Sequence, residues 1–279
     1  MPYSEDIEKR IKSFNSIEDI ISAMKAYAGV TIRQTEEIVP NVRAYEKNIL
    51  SVIRDLIVTY PDLTSMERNR GNKIIVAFGS SQGLCGAYNE KVADAVAEVI
   101  RDKDVLFVIG RRLTSSLLLR HIAFESYSDS VLSMSGVQPA LEKTIVQIMA
   151  SYRKKEFYNL SFIFTSVLEN KAQIVIEQIL PPDFDRMLAM GPDNIAPLAY
   201  LNAGVIFSSA LEELLYINFY RCYVESLRSE NWYRLRSMEG ASEAIKKYIE
   251  ELSSLQKYTR QEEITEEMLE ILGSGMFYR

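Results

Sequence analysis

The chain has 279 residues, 47% of them hydrophobic and 25% charged, enough apolar material for a buried core in one or two ordinary domains. Its formal net charge of -6 speaks against nucleic-acid binding, which depends on a basic surface that displaces counterions. No apolar run approaches the roughly 18 residues of a membrane span, so direct membrane insertion is not expected, and the opening Met-Pro-Tyr-Ser-Glu-Asp has neither signal-peptide nor transit-peptide character.

Residues 4–60 read as helix. Phe14, Ile17, Ile21, Met24 and Ala28, then Ile38, Val42, Tyr45, Ile49, Val52 and Leu56, recur at steps of three and four, the spacing of a narrow coiled-coil seam. Between them Thr31 and Thr35 are polar. Pro40 removes a backbone donor, so a kink or loosening is expected there, but not a helix end, because the stripe resumes in step. Tyr60-Pro61-Asp62 closes the helix and a polar loop runs to Asn72.

Residues 73–78 form a β-branched apolar run suited to a buried parallel strand. After the turn 79–88, helical spacing over 89–101 follows, with Asn89 as the expected N-cap. A strand over 105–109, helices over 111–121 and 140–152, and paired strands over 159–165 and 172–179 around Glu169-Asn170 complete a β-α-β-α order, which predicts a mostly parallel sheet. Pro181-Pro182 ends the sheet, and a loop runs through Gly191-Pro192 and Pro197. From about Val205 the chain reads as helix until Gly273 and Gly275, with Met238, Ala241, Ile245, Tyr248, Leu252 and Leu255 as its seam. Two seamed helices at opposite ends of a chain most simply zip against each other. The expected fold is an antiparallel coiled coil with an α/β domain inserted in it, a shape that suits a shaft better than an enzyme.

Candidate chemistry is sparse. The turn Gly79-Ser80-Ser81-Gln82-Gly83-Leu84-Cys85-Gly86 is glycine-rich and precedes a helix, where backbone amides can hold an anion. Its spacing, G-x-x-x-G-x-x-G, fits neither the dinucleotide fingerprint nor the phosphate loop that ends in Gly-Lys, and tight turns and close helix–sheet packing explain it better. Cys85 has no histidine paired with it. It and Cys222 read as free packing thiols, and a disulfide or metal site is not expected. The single histidine, His121, follows an apolar run and reads as structural. Glu262-Glu263 and Glu266-Glu267 read as a solvated helix face. Arg260-Gln261 stand where the last seam turns polar; an arginine with a neighbouring amide, displayed on a helix, is suited to gripping carboxylates of another protein.

Several motifs, in order along nearly the whole chain, resemble the γ-subunit family of F-type ATP synthases. Arg10–Lys25 is similar to the family's first helix with its A-M-K ending, and Arg43-Ala44-Tyr45 stands where the family has Arg-Pro-Tyr. Gly83, Leu84, Cys85, Gly86 and Asn89 match its structural motif G-L-C-G-x-x-N. Tyr223–Ser226 and Ser229-Glu230…Arg234…Met238 echo its second long helix, and Thr259-Arg260-Gln261…Ile264-Thr265…Glu267 its closing R-Q-x-x-I-T-x-E. The chain departs from that pattern at Ser81-Gln82, in the weakly charged stretch 26–31, at 201–204 and at Glu262, which places it among divergent members. The resemblance implies a Rossmann-like α/β domain at 73–182 inserted between coiled-coil helices at 1–60 and 205–279, the two helices forming one rod. It implies a rotary shaft that couples transmembrane ion flow to ATP synthesis or hydrolysis, with no catalytic residue, cofactor or metal of its own. The implied partners are α and β head subunits, an ε-type subunit and a membrane c-ring; Arg260, Gln261, Lys25 and Met24 would touch a β subunit. The implied place is peripheral, on the cytoplasmic face of the bacterial cell membrane. The alternative is an α/β ligand-binding or enzymatic domain with coiled-coil dimerisation arms.

Overall fold

The computed structural model describes residues 2–64, 72–152, 157–189 and 200–276. Helix α1 spans Pro2–Thr59 and runs through Pro40 without a break. The α/β elements follow: β1 Asn72–Phe78, α2 Tyr88–Val99, β2 Val105–Ile109, α3 Arg111–Leu118, β3 Ser126–Ser128, α4 Val137–Tyr152, β4 Phe157–Leu168, β5 Lys171–Leu180 and the short α5 Phe184–Ala189. Helix α6, Ala203–Met276, closes the order and continues through both Gly273 and Gly275 rather than stopping at them. The polar loop that runs up to Asn72 and the loop through Gly191-Pro192 and Pro197 fall mostly outside the described residues.

The chain divides into two compact units, residues 1–28 with 235–279 and residues 29–234. In the larger unit the sheet has the order β3-β2-β1-β4-β5, parallel except for the antiparallel hairpin β4–β5. Glu169 and Asn170 both take positive φ at its turn, the geometry that a two-residue hairpin loop needs. β3 escapes the sequence reading because its three residues, Ser-Tyr-Ser, carry no apolar pattern.

Alternation along the strands assigns the two faces. Ile74, Val76, Phe78, Phe107, Phe162 and Phe164 pack with Leu141 and Ile148 of α4 and Phe219 and Cys222 of α6. Ile75, Ala77, Leu106, Val108 and Ile163 pack with Val92 and Val96 of α2 and Leu113 and Leu117 of α3. Because helices cover both faces, residues 74–78 of β1 and all of β2 are apolar without alternation, and the first of these is the unbroken run seen in the sequence. A third cluster joins Val42, Ile49, Ile53 and Leu56 of α1 to Phe207, Leu214 and Ile217 of α6.

The seam differs from the expected one in a regular way. On α1 every seventh residue from Ile7 through Phe14, Ile21, Ala28, Thr35, Val42, Ile49 and Leu56 turns inward, as anticipated for most of them. The second row, however, is Ile11, Glu18, Lys25, Val39, Glu46 and Ile53, displaced by one residue from the expected Ile17, Tyr45 and Val52, which are exposed; only at Thr31, 2% exposed, is the expected position the buried one. On α6 the same displacement puts Ser242, Ile249 and Gln256 inward in place of Ala241, Tyr248 and Leu255. Steps of three then four and of four then three are both compatible with a heptad, and the structure takes the second. The true row includes charged and amide side chains, among them Glu46 with its carboxylate against Arg221, so apolarity alone points to their neighbours.

Candidate functional site

The turn after β1 is held by side chains that consume its backbone amides. Gly79 N–H donates to Ile109 O at 2.7 Å. A Cβ on Gly79 would lie 2.4 Å from Leu113 Cβ, and one on Gly110, whose φ is +106°, would lie 2.6 Å from Gly79 C, so the two loops cross too closely for any side chain. Asn89 is not the N-cap, a position that Ala87 holds; it sits inside the first turn of α2 as a clip. Its Oδ1 accepts from Ser80 N–H at 2.9 Å, and its Nδ2 donates to Ser80 Oγ at 2.9 Å and Cys85 Sγ at 3.5 Å. Ser81 Oγ accepts from the backbone N–H of Ser130 at 2.6 Å and of Arg111 at 3.3 Å, and Ser81 N–H donates to Ser130 Oγ at 2.7 Å. The amides of Gly79, Ser80 and Ser81 at the start of the turn are therefore already bonded within the protein. Cys85 is buried, and burial raises its thiol pKa, so it stays protonated. Leu84 and Gly86 flank it in left-handed conformations. Of the motif Gly83, Leu84, Cys85, Gly86 and Asn89, Cys85 and Asn89 are thus buried in one corner, while Leu84 and Gly86 are exposed.

Beside that corner α6 presents buried polar groups to the sheet. Tyr88 Oη lies 2.6 Å from Ser226 Oγ, and Ser229 Oγ donates to Thr165 O at 2.7 Å. Glu230 and Arg234 form a buried ion pair, and burial raises the Glu230 pKa to about 7 against the pull of Arg234. Further along, Arg221 is the hub of a second network. Its Nη2 donates to both carboxylate oxygens of Glu177 on β5 at 2.8 Å and to Asn218 Oδ1 at 2.9 Å. Its Nε lies 2.9 Å from Glu46 Oε2 of α1, as an ion pair bent too far to count as a hydrogen bond. Glu225 is 3.7 Å away and also receives Arg43 Nη2 at 2.9 Å. The network clamps α1, β5 and α6 together. No local pattern reveals it, because its members are spread over three elements.

The smaller unit carries the proposed partner contacts. Its two helix segments run antiparallel: Phe14 stacks on Tyr248 with centroids 6.0 Å apart, and Lys246 Nζ lies 3.5 Å from Glu18 Oε1. Arg260 and Gln261 are neighbours on α6 with exposed side chains, while Met24 and Lys25 are half-buried on α1. The pairing register sets Met24 and Lys25 level with residues near 239, so the two pairs stand roughly 30 Å apart along the helices and do not form one cluster. Beyond Arg260, Ile264, Met268, Leu269, Ile271 and Leu272 are each 49–69% exposed, a run of large apolar side chains on a helix surface. Among the described residues no helix is long and apolar enough to cross a membrane.

A family model described as ATP synthase matches residues 4–276. The ATP synthase gamma chain of Heliobacterium modesticaldum is 27% identical over 290 residues, covering 99% of both chains. That of Lachnoclostridium phytofermentans is 26% identical over 293 residues, again covering 99% of both. The chain belongs to the ATP synthase gamma family. Among solved structures, the chain is similar to one in the rotor of Euglena gracilis mitochondrial ATP synthase, with a TM-score of 0.60 at 15% identity, over 94% of this chain and 99% of that one. A chain of the Tetrahymena thermophila mitochondrial central stalk and c-ring matches with a TM-score of 0.58 at 15% identity, over 80% and 99%. At that identity the likeness concerns the fold: long terminal helices and a central, mostly parallel sheet. In this gamma chain Ser81 and Gln82 stand where the family pattern has aspartate and arginine, and the Ser81 hydroxyl reaches Asp129 Oδ1 at 3.1 Å to tie the corner down.

Proposed function

We propose that the chain is the central rotary shaft of an F-type ATP synthase, a non-catalytic subunit that couples ion flow across a membrane to ATP synthesis or hydrolysis on partner β subunits. The observation that carries this reading is the family match from residue 4 to 276 on a chain whose two longest elements are paired antiparallel helices. Residues 1–60 and 205–279 serve as the rod and 73–182 as the foot. The rod turns inside a ring of α and β subunits, its unlike faces holding the catalytic sites in different states. Arg260 and Gln261 offer a guanidinium fork and an amide to a β subunit, and Met24 and Lys25 touch a β subunit at a second level. The exposed apolar run beyond Ile264 supplies a surface that partners cover. The foot meets an ε-type subunit and the membrane ring, on the cytoplasmic face of a bacterial membrane. Reconstitution tests the reading: α and β subunits assembled with this chain should hydrolyse ATP with cooperative turnover, and the same subunits without it should lose most of that activity. Equal hydrolysis with and without the chain would contradict it.

A further inference from the structure

A small cavity of about 10 Å³ lies where α6 passes the end of β1, with Phe78, Gly79, Ser130, Val131, Ser226 and Glu230 on its walls. The walls are almost closed to solvent: Ser226 is 5% exposed and Glu230 2%. One water needs roughly 10–15 Å³ of such space, so the cavity has room for a single molecule. The polar groups around it have bonding capacity left over. Glu230 accepts from Arg234 through Oε1, and its Oε2 has no hydrogen-bond partner among the described residues. Ser130 Oγ accepts from Ser81 N–H at 2.7 Å, but its own proton meets no acceptor among those residues. Ser226 Oγ is bonded to Tyr88 Oη at 2.6 Å and keeps a free lone pair whichever of the two donates.

Leaving a buried carboxylate oxygen without a donor is costly, and buried polar atoms are as a rule bonded to protein or to ordered water. We propose that this cavity is a binding site for one structural water, which accepts from the Ser130 hydroxyl and donates to Glu230 Oε2 and Ser226 Oγ. Three bonds are the usual complement of an internal water. The water ties the segment between β3 and α4 to α6 across the end of β1, and it supplies the donor that the Arg234 pair leaves missing on Glu230. The titratable groups that face Glu230 are Arg234 and Tyr223 on α6, and Cys85 and Tyr88 at the β1–α2 corner. Burial raises Cys85, Tyr88 and Tyr223, so none of them ionises where Glu230 does, at about 7. The site belongs to the isolated chain and stands apart from the shaft reading.

In a high-resolution crystal structure of the full chain, one ordered water should lie about 2.6–3.2 Å from Glu230 Oε2, Ser130 Oγ and Ser226 Oγ. An empty cavity, or Glu230 Oε2 bonded directly to either serine, would overturn the proposal. In solution the readout is the carboxyl carbon of Glu230, followed by NMR through its titration. Ser226→Thr keeps the hydroxyl and puts a methyl group into the cavity, so the carboxylate loses its water donor. The Glu230 midpoint should then rise by about one pH unit, roughly a tenfold gain in proton affinity. Val131→Ile fills the cavity from another wall and should raise the midpoint in the same way, which keeps the test open if the threonine variant does not fold. A folded variant of either kind whose Glu230 midpoint stays where it was would show that no water donates to that carboxylate.

Discussion

The two compact units use the same pairing of α1 with α6 for different ends. In the larger unit the helices are buried from both sides: Ile53, Leu56 and Ile57 are almost wholly enclosed, and Arg221 ties α1 and α6 to β5 through carboxylates on three elements. Among the described residues of the smaller unit each helix packs on the other without a covering layer, its seam residues Phe14, Ile245, Ile249 and Leu252 stay partly open, and large apolar side chains such as Met268 and Leu272 are exposed. One heptad pattern therefore serves a sealed core in one unit and a partly open seam in the other. What separates them is the second layer of structure packed on the helices, not the helices themselves.

The largest effect expected from breaking this contrast is at the sealed end. Arg221→Leu leaves Glu46, Glu177 and Glu225 without their common partner, and removing one member of a buried ion cluster costs about 3–5 kcal/mol. A thermal melt of the isolated chain should show a clear fall in midpoint, and an unchanged melt would mean the cluster is solvated. Ile53→Ala empties a site with no exposure and should cost about 2–5 kcal/mol, whereas Val52→Ala, half-exposed beside it, should cost less than about 0.5. Equal losses at the two positions would return the seam to the row read from sequence.

The Glu230 pair makes a prediction in pH. Its folded pKa, about 7, lies above the ordinary 4.5, so the folded state binds the proton more tightly than the unfolded chain does. Stability should therefore fall as pH rises from about 4.5 through 7, by at most about 3 kcal/mol from this group. Glu230→Gln should flatten that part of the stability profile, and a profile of identical slope in the variant would place the carboxylate in water. Cys85→Ser swaps a packing thiol for a hydroxyl beside Ser80 and should shift stability by about 1 kcal/mol, leaving the hydrolysis of an assembled complex intact. Arg260→Ala with Gln261→Ala should leave the melt of the isolated chain where it was, because both side chains are exposed, and should weaken hydrolysis or coupling only in the assembly. A lowered melt in the isolated chain would make these residues structural.

Much of the fold was legible because its signals are local: β-branched runs for strands covered on both faces, and a repeat of seven for the paired helices. Half of the seam was not. Glu18, Lys25, Glu46 and Gln256 occupy inward positions although they are polar, Glu46 with its carboxylate against Arg221, and the more apolar Ile17, Tyr45 and Leu255 beside them draw the eye. Asn89 reads as an N-cap by type and place, but tertiary contact with Ser80 and Cys85 turns it into a clip inside the helix. The Arg221 network and the cavity beside Glu230 depend on residues far apart in sequence, which no local pattern discloses. Arg260 and Gln261 were visible as residue types on a helix, whereas the apolar run beyond them became informative only once its exposure was known.

The central claim is that the chain does its work by turning. Leu119, 81% exposed after α3, can be replaced by cysteine and labelled alone, since Cys85 and Cys222 are both buried. With the α and β ring fixed to a surface and a bead on that cysteine, ATP should drive stepwise rotation of the bead in one direction. A complex that hydrolyses ATP steadily while the bead stays still would contradict the account.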